Sequence, residues 1–172
     1  MKVVLIGYMA SGKSTIGRYL AQEMDMSFID LDVYIEEKEE MTITDIFKTK
    51  GEIYFRYQEH FYLKELLAAT NNIVIALGGG TPCYASNMQV INNSENTYSI
   101  YLKANVHTLV ERLKNQRSKR PLVAELSDEK LQEYVAKHLF ERNKYYNQAS
   151  SILPIDNKSI TEIVTELKVQ LH

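Results

Sequence analysis

Short hydrophobic runs alternate along this chain with longer stretches in which hydrophobic residues recur at helical spacing. Five of these runs predict β-strands, at residues 3–6, 27–30, 73–77, 97–102 and 151–155. Helical patterns begin near residues 15 and 33 and cover about 105–115, 127–148 and 160–171, and the pattern at 44–69 predicts two helices divided around Gly51. Strands that alternate with helices are typical of a parallel sheet covered by helices, so the predicted fold class is α/β.

The first predicted strand runs directly into a glycine-rich loop, Gly7-x-x-x-x-Gly12-Lys13-Ser14, which fits the spacing of a P-loop in full. In such a loop, backbone N–H groups surround phosphate oxygens, the lysine reaches the β- and γ-phosphates, and the serine hydroxyl contacts Mg²⁺. Thr15 is expected to begin a helix whose N-terminal dipole faces the same anion. A chance match on a strand–turn–helix is the alternative, and the strand before and the helix after the motif argue against it. Ala10 stands where a glycine would be more permissive.

The second predicted strand ends in two carboxylates, Asp30 and Asp32. With one residue between them on an extended chain, both are expected to project to the same side at the carboxyl end of that strand. Capping of the next helix is an equally simple explanation. Beside a P-loop, the same carboxylates would suit Mg²⁺ and the positioning of an acceptor hydroxyl. The third strand lacks the acidic residue expected at its end, which favours this functional interpretation.

Three consecutive glycines, Gly78, Gly79 and Gly80, follow the third predicted strand directly, and we call them the glycine loop. A hairpin turn is the alternative, but backbone pressed against a ligand explains three glycines better than a turn does. Ligands of open α/β sheets bind at the carboxyl ends of the strands. We therefore expect the glycine loop and the P-loop to border one crevice.

Two arginines are candidates for binding an anionic group. Arg56 lies three residues before Glu59, so an ion pair within one helix explains both. The flanking aromatic residues instead suggest a partly buried guanidinium aimed at a carboxylate or phosphate. Arg142, near the end of a long helical pattern, would either stabilise the helix C-terminus or supply a second cation for an acidic substrate.

A basic segment lies at residues 114–123, where Pro121 prevents the helix from continuing. A solvated loop is one explanation. In a phosphoryl-transfer protein, the segment instead predicts a mobile lid whose arginine closes on the phosphates, and Arg120 is the candidate for that role. His138, in the helical pattern that follows, is interpreted as a structural or surface residue and not as a base.

Composition and charge narrow the class of protein further. The 172 residues fit one domain, and a net charge of −2 gives no reason to expect a nucleic-acid partner or an acidic membrane surface. Cys83 is the only cysteine, so no internal disulfide is possible, and we interpret it as a small buried thiol. No hydrophobic run has the length of a membrane span or the pattern of a secretion signal, so we expect a cytoplasmic protein. We also expect a monomer.

Together these motifs resemble those of the shikimate kinase family. The set comprises residues 7–15, Asp30-x-Asp32, Phe55-Arg56-x-x-Glu59, 78–80, Arg120-Pro121-Leu122 and Arg142-x-x-Tyr145-Tyr146, in the family's order and over nearly the whole chain. The resemblance implies a single P-loop kinase domain over 1–172, a three-layer sandwich with a five-stranded parallel sheet. It also implies a substrate-binding helical segment at about 33–65, a lid at about 114–126, and transfer of the γ-phosphoryl of ATP to the 3-hydroxyl of shikimate.

The resemblance also implies a role for each motif residue. Asp32 would hold the acceptor hydroxyl as the candidate base, with Lys13 and Arg120 as the other catalytic residues. Ser14 and Asp30 would hold the Mg²⁺ that accompanies ATP. The residues implied in binding ATP are Ala10, Ser11, Gly12, Lys13, Ser14, Thr15, Arg120 and Lys158, and those implied in binding shikimate are Asp32, Arg56, Gly78, Gly79, Gly80 and Arg142. A gluconate or nucleoside monophosphate kinase, or a nucleotide-binding module without catalysis, are the alternatives.

Overall fold

The computed structural model describes residues 1–68, 72–116, 123 and 125–171 of the chain. In these residues, five strands form one parallel sheet: β1 (Lys2–Ile6), β2 (Ser27–Asp30), β3 (Ile73–Ala76), β4 (Thr97–Lys103) and β5 (Ser151–Pro154). Their order across the sheet is β2-β3-β1-β4-β5, and every neighbouring pair is parallel. Each strand agrees with its predicted bounds to within one residue, so the α/β prediction is confirmed.

Helices flank this sheet. The described α-helices are α1 (Lys13–Glu23), α2 (Leu31–Glu39), α3 (Ile43–Thr49), α4 (Gly51–Ala68), α5 (Asn87–Asn92), α6 (Val106–Lys114), α7 (Asp128–Tyr146) and α8 (Ile160–Leu171), and a 3₁₀ helix covers Thr81–Cys83. The predicted division near Gly51 is confirmed, because this residue adopts a left-handed φ of 83° between α3 and α4. The short helix α5 and the 3₁₀ helix were not predicted. The predicted lid at 114–126 lies largely outside the described residues.

The core explains why the strand pattern was easy to recognise. Val3, Val4, Leu5 and Ile6 have no accessible surface, and the residues of β3 are at most 4% exposed, so both central strands are continuous hydrophobic runs in the sequence. Helix α1 contacts β1, β2, β3 and α8, and α6 packs against α7. None of the described helices combines the length and the hydrophobicity needed to cross a membrane.

Because all five strands are parallel, their carboxyl ends meet at one edge of the sheet. The P-loop follows β1, Asp30 ends β2, and the glycine loop follows β3, which lies between β1 and β2. Strand order therefore brings three segments that are distant in sequence to neighbouring positions. The candidate site is built at this edge.

Candidate active site

The P-loop has the backbone conformation that its glycines predict. Gly12 adopts a left-handed φ of 93° and caps the N-terminus of α1, and a Cβ on Gly7 would lie 2.9 Å from the carbonyl oxygen of Leu102. Ala10 is also left-handed, with φ of 61°, so the loop accepts a Cβ at a position that favours glycine. Helix α1 begins at Lys13, two residues earlier than the predicted start at Thr15.

Two cations contact the carbonyl oxygens of this loop. The buried Lys13 Nζ donates to the carbonyls of Gly7 and Tyr8, at 2.9 Å each. Arg112, on α6, donates from Nη1 to the carbonyls of Ala10 and Ser11, at 3.3 Å each. Arg112 was not identified from the sequence, since nothing in the last turn of α6 distinguishes it from a solvated basic residue.

Asp30 joins the P-loop to α2. Its Oδ2 accepts a hydrogen bond of 2.5 Å from the Ser14 hydroxyl, and its Oδ1 accepts one of 3.1 Å from the backbone N–H of Asp32. The second bond makes Asp30 the N-cap of α2, so the capping explanation is correct for this residue. The same carboxylate also faces the P-loop serine, and the two side chains together offer only hard oxygen ligands, the type that Mg²⁺ prefers.

Asp32 does not project from an extended chain, and that prediction was wrong. Strand β2 ends at Asp30, and Asp32 lies in the first turn of α2. Burial, together with the nearby carboxylates of Asp30 and Glu59, raises the pKa of Asp32 to about 6, although the Lys13 ammonium acts in the opposite direction. Asp32 therefore accepts a proton near neutral pH more readily than an ordinary carboxylate does.

The glycine loop brings three of the predicted charged residues together. A Cβ on Gly78 would lie 2.8 Å from Asp32 Oδ1, one on Gly79 would lie 3.4 Å from Arg142 Nη1, and one on Gly80 would lie 2.9 Å from Arg56 Nη2. None of these glycines has a positive φ, so close approach and not backbone conformation explains them. A hairpin turn is excluded, because β3 pairs only with parallel strands among the described residues.

Arg56 is held on several sides. Its Nη1 donates to Glu59 Oε2 at 2.9 Å, its Nε lies 3.4 Å from Glu52 Oε1, and its guanidinium carbon lies 3.9 Å from the centre of the Tyr84 ring. The predicted ion pair with Glu59 is confirmed, but it is not the exposed pair expected on a helix surface. Glu59 is 1% exposed, and its other oxygen accepts a hydrogen bond from the Thr81 hydroxyl.

Arg142, on α7, also approaches the glycine loop, at Gly79. Its guanidinium carbon lies 5.6 Å from the Tyr8 ring centre, and Tyr146, one turn further along α7, donates to the carbonyl of Gly79 at 2.5 Å. The Tyr8 hydroxyl lies 3.2 Å from His138 Nδ1. Burial and the Arg142 guanidinium lower the pKa of His138. The interpretation of His138 as a structural residue agrees with this contact. The contacts of Tyr8 with His138 and Arg142 were not predicted.

The remaining predicted residues lie away from these groups or outside the described part of the chain. Lys158 forms an ion pair of 2.6 Å with Glu166 on α8 and is not among the residues that line the P-loop cleft. Arg120 lies outside the described residues. Cys83 is partly buried, and burial raises the pKa of its thiol to about 11, which agrees with an unreactive thiol.

A polar cleft of about 230 Å³ lies between the P-loop and the glycine loop, and its lining includes Lys13, Ser14, Asp30, Asp32 and Gly79. A second cavity, of about 360 Å³, is lined by residues that include Arg142, Tyr84 and Cys83, and the Arg142 guanidinium also lies close to Gly79. The expected crevice between the two loops is therefore present, with carboxylates in its lining and arginines beside the glycine loop.

A P-loop at the end of the central strand, a buried carboxylate beside it and a glycine loop packed against two arginines define a small-molecule kinase of the P-loop class. A sequence model of the shikimate kinase family matches residues 9–172, and the chain belongs to this family. It is 46% identical to the shikimate kinase of Flavobacterium johnsoniae over 166 residues, which cover 96% of each chain.

Solved structures agree with this assignment. The crystal structure of shikimate kinase from Bacteroides thetaiotaomicron superposes with a TM-score of 0.92 at 32% identity and covers 99% of this chain and 98% of that chain. Shikimate kinase from Acinetobacter baumannii, solved in complex with shikimate, superposes with a TM-score of 0.87 at 27% identity and covers 99% and 92% of the two chains. The predicted P-loop sandwich is thereby confirmed.

Proposed function

We propose that the chain transfers the γ-phosphoryl group of ATP to the 3-hydroxyl of shikimate, giving shikimate 3-phosphate and ADP. The observation that carries the proposal is the glycine loop, whose three residues each admit one charged side chain next to the P-loop: Asp32, Arg142 and Arg56. Shikimate is a small anionic polyol, so its pocket needs cations for the carboxylate, an acceptor for the hydroxyl and close backbone contact. This arrangement supplies all three.

The phosphate side of the site is assigned to the P-loop. Residues 10–15 would bind the ATP phosphates through backbone N–H groups, and Lys13 would exchange its carbonyl partners for phosphate oxygens. Ser14 and Asp30 would hold Mg²⁺, and the scarcity of protein ligands suits an ion that keeps waters and nucleotide phosphates as its other partners. When bound, the metal neutralises charge on the phosphate oxygens. From the family resemblance, Arg120 would close over the phosphates and Lys158 would border the nucleotide base.

We call the part of the site that would bind the carboxylic acid of shikimate the acid side, and we assign it to the two arginines and the glycine loop. Arg56 and Arg142 would grip the carboxylate of shikimate, and the backbone at Gly79 would pack on its ring. Both guanidinium groups approach the glycine loop, at Gly80 and Gly79 respectively. A planar guanidinium suits a carboxylate because it can donate two parallel hydrogen bonds. The helical segment at 33–65, which carries Arg56, is the proposed substrate-binding segment.

Asp32 is the proposed acceptor for the proton of the reacting hydroxyl. The oxygen of that hydroxyl forms the new bond to phosphorus, its proton passes to the Asp32 carboxylate, and the bond to the ADP leaving group breaks. A pKa of about 6 leaves Asp32 mostly ionised at neutral pH but more basic than a solvated aspartate. Most of the catalysis would come from positioning and electrostatics. We further propose a cytoplasmic monomer with no nucleic-acid or membrane partner.

An acceptor assay tests the proposed function. ADP release is followed with ATP, magnesium and one acceptor at a time: shikimate, gluconate or a nucleoside monophosphate. We expect turnover with shikimate alone. Turnover with gluconate or a nucleoside monophosphate, and none with shikimate, would assign a different kinase activity. No turnover with any acceptor, together with ATP binding, would indicate a nucleotide-binding module.

A further inference from the structure

A chain of hydrogen bonds runs behind the glycine loop through side chains that are almost entirely buried. Glu59 is 1% exposed, and Thr81 and Asn87 have no accessible surface. They come from α4, from the 3₁₀ helix and from the start of α5. Buried polar groups are costly unless they are hydrogen-bonded, so three of them in contact with one another call for an explanation.

The contacts connect Arg56 to the protein interior. Arg56 donates to one oxygen of Glu59 at 2.9 Å, and the Thr81 hydroxyl donates to the other at 2.6 Å. The Asn87 side-chain amide donates to the carbonyl of Thr81 at 2.8 Å, and its oxygen lies 2.7 Å from His60 Nδ1. Each oxygen of the Glu59 carboxylate thus has its own partner, which fixes the plane of the carboxylate and with it the approach of Arg56.

Thr81 occupies a particular place in this chain. It follows Gly80 directly, and its backbone N–H donates to the carbonyl of Gly78 at 3.1 Å. Its hydroxyl lies 3.0 Å from the position of a Cβ on Gly78, so the same hydroxyl packs against the glycine loop and bonds to Glu59. Thr81 therefore touches both the loop that would contact the substrate ring and the carboxylate that holds Arg56.

We infer that Thr81 and Asn87 are positioning residues for the acid side of the site. Thr81 orients Arg56 through Glu59, and Asn87 holds the backbone of Thr81 in the position that this requires. Neither residue touches the substrate. The inference rests on the proposed function, since it assumes that Arg56 binds the carboxylate of shikimate.

Thr81→Val tests the inference, because valine has nearly the shape of threonine and lacks the hydroxyl. We expect the KM for shikimate to rise about tenfold, whereas kcat and the KM for ATP stay within about twofold. Thr81→Ser, which keeps the hydroxyl, should restore the KM for shikimate. The matched control is Thr97→Val. Thr97 begins β4, at the edge of the sheet opposite the candidate site, and its hydroxyl is hydrogen-bonded to Ser94. Its replacement should leave all three constants unchanged.

A double-variant cycle shows whether Thr81 acts through Arg56. In an Arg56→Ala background, Thr81→Val should no longer change the KM for shikimate, because the group that it positions is absent. A persistent tenfold effect in that background would overturn the inference. So would an unchanged KM for shikimate in folded Thr81→Val, or equal rises in the KM values for both substrates.

Asn87→Asp provides a second test if Thr81→Val does not fold. The substitution replaces the amide donor to the Thr81 carbonyl with an acceptor and retains the size of the side chain. A severalfold rise in the KM for shikimate, without a matching rise for ATP, is expected, and no change would overturn the assignment of Asn87. Wild-type protein without turnover on shikimate would refute the proposed function itself, whereas active wild-type protein with insensitive variants would refute only this inference.

Discussion

The two sides of the cleft hold their cations in different ways. On the phosphate side, Lys13 and Arg112 donate to neutral carbonyl oxygens of the P-loop. On the acid side, Arg56 is paired with the buried carboxylate of Glu59 and stacked on Tyr84. A phosphate oxygen is a stronger partner for a cation than a carbonyl is, so the phosphate side can exchange its contacts when a nucleotide arrives. The hydrogen bonds of Arg56 go to carboxylates, which hold it more strongly than carbonyl oxygens would.

This difference indicates that the acid side is preorganised before the substrate binds, whereas the phosphate side can change its contacts. Orientation before binding lowers the entropy cost of holding a small substrate, and it matters most for shikimate, which offers few contacts. ATP offers many phosphate contacts and can reorder a loop as it binds. Substitutions on the acid side should therefore change the KM for shikimate selectively, and a residue shared by both sides should change kcat.

Asp32 lies between the two sides, and its replacement should have the largest effect. Asp32→Asn keeps the shape of the side chain but cannot accept a proton at neutral pH. We expect kcat to fall about 10³-fold, with KM values within about threefold of wild type. Steady-state kinetics with both substrates measure this. The control is Asp45→Asn, an exposed aspartate in the first turn of α3, which should leave kcat unchanged. A fall of less than about tenfold would remove Asp32 from the role of base.

Arg56→Ala should give the next largest effect, on the acid side alone. Loss of a charge-assisted hydrogen bond worth about 3 kcal/mol corresponds to about a 10²-fold rise in the KM for shikimate, and the KM for ATP should not change. Arg18→Ala is the matched control, since Arg18 is an exposed arginine stacked on Phe28. Equal rises in both KM values would contradict the carboxylate assignment and the comparison of the two sides.

Gly80→Ala tests whether Gly80 is needed because Arg56 lies close to it, and not because of its backbone conformation. Its Cβ would lie 2.9 Å from Arg56 Nη2, so the guanidinium must move, and we expect about a tenfold rise in the KM for shikimate. Gly51→Ala is the converse case. Nothing lies within 4 Å of its Cβ position, but its φ of 83° is unfavourable for alanine.

Gly51→Ala should therefore lower the free energy of unfolding by about 1 kcal/mol and leave both KM values unchanged. Urea denaturation and steady-state kinetics of the two variants measure the contrast. If Gly80→Ala affected only stability, the glycine loop would not be a substrate contact, and the preorganised acid side would lose its main support.

The same contrast explains what the sequence could predict. The sheet and the P-loop depend on local signals, namely hydrophobic runs and glycine spacing, and both were correct to within one or two residues. The position of Asp32 was not, because the helix after β2 begins at Leu31 and not near residue 33 as predicted, which places Asp32 in its first turn. Helix α5 has only six residues, too few for a helical repeat to be recognised.

Contacts between distant residues were harder still. The pairing of Arg56 with Glu59 follows from helical spacing. The second hydrogen bond of the Glu59 carboxylate comes from Thr81, 22 residues away, and Tyr8 contacts His138 across 130 residues. Spacing along one element carries no information about such contacts. The motifs and the family resemblance named Asp32, Arg56 and Arg142 as candidates, whereas Arg112 and uncharged contacts such as Thr81 were found only in the structure.

His138 gives the smallest predicted effect, on stability and not on turnover. It joins the two sides, since it contacts Tyr8 of the P-loop from the helix that carries Arg142, and the charged or titratable groups around it also include Tyr134, Lys137 and Glu141. Because its pKa is lower in the folded protein than in the unfolded chain, the unfolded chain binds more protons just below the ordinary histidine pKa of about 6.5.

Stability should therefore decrease as the pH falls through this range, and the loss should be smaller in His138→Gln, which cannot titrate there. Urea denaturation at pH 7.5 and at a pH below about 6 measures the loss of unfolding free energy in wild type and in His138→Gln. His107→Gln, at an exposed position on α6, is the matched control and should keep the wild-type pH dependence. An identical loss in His138→Gln and wild type would mean that protonation does not disturb the contact with Tyr8, and that the two sides of the cleft are coupled by other groups.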